Sequence, residues 1–99
     1  MVCSQHWHGI HQIHSNQMDG TAYVTQCPIS PGKSFLYNFT GYDQVGTFWY
    51  HSHYDIQYCD GLRGPLIIYD PEDPYRDLYD FDNGLPFSIT ELANWTYAS

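Results

Sequence analysis

Four of the six histidines fall into two pairs with one residue between, His6-Trp7-His8 and His51-Ser52-His53. In an extended strand, residues i and i+2 point to the same face. Each pair therefore aims two imidazoles one way, and two such strands side by side present four nitrogen donors to one small volume. Imidazole suits Zn, Cu, Fe and Ni. A chain built around this feature has to be extended at both pairs.

The rest of the sequence favours strands. Gln5 to Ile10 reads as a strand entering Gly9. Thr21 to Gln26 is rich in β-formers and follows the turn signal Asp19-Gly20. Ser34 to Thr40 alternates, with Phe35, Tyr37 and Phe39 on one face and Leu36, Asn38 and Thr40 on the other. Gly46 to His53 forms an aromatic strand with Trp49, His51 and His53 on one face. Gly64-Pro65 opens Leu66-Ile67-Ile68-Tyr69, which stops at the two prolines of Asp70 to Pro74. Leu78 to Pro86 reads as an acidic loop with one helical turn, and Ser88 to Leu92 as a last strand. No segment sustains a 3.6-residue apolar period. Short strands between frequent turns indicate an all-β sandwich or barrel, and 99 residues make one small domain at most.

Charge narrows the partners. Eleven acidic residues against three basic ones give a net charge of −8, which argues against nucleic acid and anionic membrane surfaces. Asp70, Glu72, Asp73, Asp77, Asp80, Asp82 and Glu91 read as a solvated acidic stretch. No apolar run is long enough to cross a bilayer, and Met1-Val2-Cys3-Ser4 has no signal-peptide character. The first histidine pair follows the start almost at once, which suggests an internal piece of a longer protein. Three cysteines (Cys3, Cys27 and Cys59) and no CxxC leave at least one thiol free or paired outside the chain. The sequons Asn38-Phe39-Thr40 and Asn94-Trp95-Thr96 fit a secreted protein.

Two longer stretches carry a resemblance. His6-Trp7-His8-Gly9, Asp19-Gly20 and Thr25-Gln26-Cys27-Pro28-Ile29 resemble the first copper signature of multicopper oxidases. Gly46-Thr47-Phe48-Trp49-Tyr50-His51-Ser52-His53, followed by Gln57-Tyr58-Cys59-Asp60-Gly61-Leu62-Arg63-Gly64-Pro65, resembles the second signature of fungal laccases. The resemblance runs from Gln5 to about Leu92. It implies an incomplete cupredoxin-like Greek-key β-sandwich, with residues 1–99 as part of the first of three such domains. It also implies secretion, and a full-length copper oxidoreductase that oxidises phenols or aromatic amines by one electron and reduces O2 to water. The isolated 99 residues would be inactive.

The same resemblance implies residue roles. His6 would bind the type 2 copper of a trinuclear cluster, His8 and His51 one type 3 copper, and His53 the other. The type 1 copper would lie in a missing domain. Asp19 would assist proton delivery and orient bound water; it is also simply the turn residue of Asp-Gly. Cys27 and Cys59 would form disulfides to the missing second and third domains, while Cys3 has no implied role. Trp7 and Trp49 read as packing residues. His11 and His14 depart from the pattern and read as exposed loop histidines. The end departs too, since no histidine follows Trp95-Thr96-Tyr97.

Four rivals remain. Met18-Asp19-Gly20, Tyr37 to Thr40 and Val45-Gly46-Thr47 also suit a ferroxidase of the same family, whereas Cys59 and Leu62-Arg63-Gly64-Pro65 favour laccase. Ascorbate oxidases rank lower, because Ser52 stands where they have glycine. A standalone copper-binding cupredoxin without catalysis would need a complete sandwich and a self-contained site, and the odd cysteine count argues against it. A purely structural β-domain with exposed histidines predicts no copper uptake at stoichiometric metal.

Overall fold

The computed structural model describes residues 2–79, and these build one antiparallel sheet of three strands in the order β1-β2-β3. Strand β1 is Gln5–His8, β2 is Gly46–Ser52 and β3 is Arg63–Ile68. Short 3-10 turns at Asn16–Met18 and Arg76–Leu78 complete the regular structure, and no α-helix occurs among the described residues. The all-β expectation holds. The expected strand at Ser88 to Leu92, residues 80–86 of the acidic loop and the second sequon lie outside the described residues.

The sheet forms where the sequence offers both β-formers and a partner. Aromatic residues of β2 fit a pleated, half-buried surface, and β2 pairs on both sides. Gln5 to His8 run opposite Ser52 to Trp49, and Gly46 to His51 run opposite Ile68 to Arg63. In β3, Pro65 has no N–H to give, which an edge strand tolerates. Beside it, Gly64 lies under the Tyr50 ring, where a Cβ would stand 2.5 Å from Cζ.

Behind the histidines, on the other face of β1, the Trp7 ring packs against Tyr37, Phe39 and Tyr50 at centroid distances of 5.3, 5.1 and 5.8 Å. Yet Ile10 is the one hydrophobic residue that is buried among the described residues. Leu36, Val24 and Tyr23 are each more than three-quarters exposed.

Two expected strands differ. Residues 21–26 form a turn closed by an isolated bridge between Ala22 and Gln26. The Thr21 carbonyl accepts from the amides of Val24 and Thr25, and Thr25 Oγ1 accepts from the Thr21 amide at 2.9 Å. Such local hydrogen bonds compete with a ladder, and Tyr23 at φ +65° cannot continue one. Residues 34–40 join no ladder among the described residues. Their alternation nevertheless holds, since Tyr37 and Phe39 are half-buried against Trp7 while Asn38 and Thr40 are exposed.

Candidate metal centre

Register places the histidines. His6 lies directly opposite His51, and His8 opposite Trp49. By pleat parity all four side chains share one face of the sheet. The His6 ring lies 5.6 Å from His8, 5.3 Å from His51 and 5.5 Å from His53. One ring nitrogen each from His6, His8 and His51 falls within 4.8 Å of the other two. Trp49 walls this group, stacking on His51 at 4.4 Å and tilting over His8 at 4.9 Å.

The hydrogen bonds decide which nitrogens stay available. His6 Nδ1 meets the Asp19 carbonyl oxygen at 2.7 Å, and His51 Nδ1 meets the Ser52 carbonyl at 2.9 Å. Carbonyls only accept, so both Nδ1 atoms carry the proton and both Nε2 atoms keep a free lone pair. That is the tautomer which metal-binding histidines adopt when a second group holds the ring. His51 Nε2 then faces His8 Nδ1 at 3.2 Å. Two nitrogens each about 2 Å from one ion, at about a tetrahedral angle, keep that separation. The donor set therefore fits a transition-metal ion.

Electrostatics agree. His51 is only 8% exposed, and its burial, reinforced by His6, His8 and His53, pushes its pKa below the ordinary imidazole value against the opposing Ser52 carbonyl. A neutral imidazole is the ligating form.

Asp19 reaches His6 through a glycine. Gly20 lies so close to β1 that a Cβ there would stand 1.7 Å from the Gln5 carbonyl oxygen, and its φ is +76°. Only glycine lets the turn seat Asp19 against the strand. Besides its carbonyl, Asp19 brings Oδ1 to 3.4 Å from His6 Nδ1, while Thr21 Oγ1 donates to Oδ2 at 3.2 Å. Asp19 also lines a cavity of about 220 Å³ with His11, Gln12, Asn16 and Thr25.

The remaining candidates differ from the group of three. His53 is exposed; its ring lies 5.5 Å from His6 and 6.1 Å from His51, but it is not one of the three residues whose ring nitrogens fall within 4.8 Å of one another. His11 is exposed, its amide donating to Gln44 Oε1, and His14 sits at φ +59° with its ring edge toward Tyr42. Cys3, Cys27 and Cys59 are all free thiols.

One support escaped the sequence reading. Ser52 is 1% exposed and donates to Gln57 Oε1 at 2.6 Å, and Gln57 Nε2 donates to the Val2 carbonyl at 2.7 Å. This bridge ties the residue between the second histidine pair to the chain just before the first. Nothing in the local pattern of Gln57 signals it.

Residues 2–73 match the multicopper oxidase family, and the chain belongs to it. Laccase-1 of Fomitopsis schrenkii is 66% identical over 91% of this chain and 16% of that protein. Laccase-5 of Trametes versicolor is 56% identical over 95% of this chain and 18% of that protein. The chain thus spans about one-sixth of the length of such relatives. Among solved structures, Fet3p, described as a multicopper oxidase that functions in iron import, superposes with a TM-score of 0.70 at 50% identity over 83% of this chain and 15% of that one. The laccase of Botrytis aclada gives 0.68 at 56% identity over 71% and 13%. The fold is that of these cupredoxin-type proteins, seen in part.

Proposed function

We propose that the chain is part of the first domain of a secreted, laccase-like multicopper oxidase, and that it supplies the oxygen-reducing half of the chemistry. The observation that carries this reading is the convergence of His6, His8 and His51, with His51 Nε2 and His8 Nδ1 at 3.2 Å. In the assignment, His6 holds type 2 copper, His8 and His51 hold one type 3 copper, and His53 holds the other. Copper so bound supplies one-electron redox chemistry and a binding place for O2. Overall, four phenols or aromatic amines each lose one electron, and O2 takes up four electrons and four protons to give two waters.

The chain's own residues orient and protect. The Asp19 carbonyl and the Ser52 carbonyl fix the ring tautomers of His6 and His51. Trp49 stacks on the buried His51 and limits access of water from that side. The Asp19 carboxylate, at the cavity wall, is placed to exchange protons with water there. Further domains of the longer protein provide the remaining cluster ligands, the type 1 copper and the cysteine partners of Cys27 and Cys59. The isolated 99 residues are then inactive.

A ferroxidase of the same family is the second reading, favoured by the likeness to Fet3p. The test is steady-state O2 uptake by the full-length protein with a phenol or with Fe(II). Laccase function predicts the larger kcat/KM with the phenol, and loss of at least a hundredfold with either substrate in His51→Ala.

A further inference from the structure

Ser4 is fully buried, and its Oγ has no hydrogen-bond partner among the described residues. Buried hydroxyls are normally paired, so an orphan calls for an explanation. Its place supplies one. The pairing of Gln5 with Ser52 puts Ser4 opposite His53, and the His53 amide donates to the Ser4 carbonyl at 3.1 Å. Ser4 also precedes His6 by two residues and shares the histidine face.

His53 is short of what Ser4 offers. The rings of His6 and His51 each rest on a backbone carbonyl, whereas among the described residues the His53 ring has ring contacts alone. Directly opposite residues of an antiparallel pair have Cβ atoms about 4.5–5.5 Å apart. That separation puts a serine Oγ and a histidine ring on directly opposite residues within reach of each other through side-chain rotation.

We infer that Ser4 is the positioning residue of His53: its hydroxyl accepts the His53 ring N–H and turns the other ring nitrogen toward the metal. The inference rests on the copper reading above. It completes a pattern in which His6, His51 and His53 are each held by an oxygen acceptor, two from the backbone and one from a side chain.

The test is competition for Cu(I) between the full-length protein and a chromophoric chelator. Ser4→Thr keeps a hydroxyl, and Ser4→Val has the same shape without one, so this pair separates hydrogen bonding from packing. Removing a group that orients a metal ligand typically lowers affinity about 10–100-fold. Ser4→Val should lose affinity in that range at one copper, Ser4→Thr should stay near wild type, and Ser4→Val should add nothing in a His53→Ala background. Equal affinity in Thr and Val variants, with His53→Ala still impaired, overturns the inference and leaves the copper reading standing. So does a loss from Ser4→Val that persists in the His53→Ala background. Wild-type copper affinity in His6→Ala, His51→Ala and His53→Ala together would instead remove the copper reading itself, and the inference with it.

Discussion

The two histidine-bearing strands and the segment 34–40 have similar β-patterned sequences and different fates. Strand β2 is paired on both sides and ends in the buried His51 and Ser52. Residues 34–40 alternate as cleanly, yet they make no ladder among the described residues and leave Leu36 82% exposed. The difference is a partner. Alternation selects which side chains face inward, but a strand also needs another backbone to take its hydrogen bonds. Where β1, β2 and β3 supply one another, the register is fixed and the imidazoles converge. Where no backbone partner stands among the described residues, side chains hold the segment: the aromatic contacts of Tyr37 and Phe39 to Trp7, and the Tyr37 hydroxyl accepting the Gln5 amide at 2.9 Å.

The largest expected effect tests how the Asp19 turn is seated on the paired region. Gly20→Ala forces a Cβ into the Gln5 carbonyl and should destabilise the protein by more than about 3 kcal/mol, the range of severe core damage. Gly32→Ala is the control. Its φ is +72° but nothing lies within 4 Å, so the cost should be about 1–2 kcal/mol of backbone strain. Urea unfolding of both variants measures the gap, and equal costs would mean that the turn does not press on β1.

Next comes the bridge behind the second histidine pair. Ser52→Ala leaves the buried Gln57 without its donor and should cost about 1–3 kcal/mol. In the unpaired loop, Thr25→Val removes an exchange of hydrogen bonds with Thr21 and should cost about 0.5–1.5 kcal/mol. Leu36→Ser, at an exposed site, should stay within about 0.5 kcal/mol. A larger loss at Leu36 would show that residues 34–40 are covered in the full-length protein, and would narrow the contrast between the two regions.

Acid should act on the paired region as well. The His51 pKa is lowered in the folded state, chiefly by burial. The unfolded state then binds the extra proton first, so this contribution to stability is complete above the ordinary histidine pKa of about 6.5 and is lost as pH falls below it. Copper affinity should weaken in the same direction, since protons compete for the ligating nitrogen. Unfolding midpoints and copper titrations between pH 5 and 8, compared with His51→Gln, should show the slope disappear in the variant.

Much of the site was legible because strand geometry is local. A spacing of two in extended chain already set His6 with His8 and His51 with His53, and Trp49 with both in parity. What stayed hidden depends on contacts far apart in sequence. The Thr21 to Gln26 turn formed against its β-rich composition, because threonine side chains and carbonyls satisfied the backbone locally. The exposure of His53 outside the tight group of three, and the bridge from Ser52 through Gln57 to Val2, follow from how loops pack onto the sheet. No residue pattern announces either.

The most direct test is elemental copper per chain in the full-length protein, comparing wild type with His8→Ala, His51→Ala and the double variant. The account predicts that each single variant loses the same copper, so that the double variant loses no more than either alone. Unchanged copper in all three would contradict a shared ion between His8 and His51, and with it the proposed metal centre.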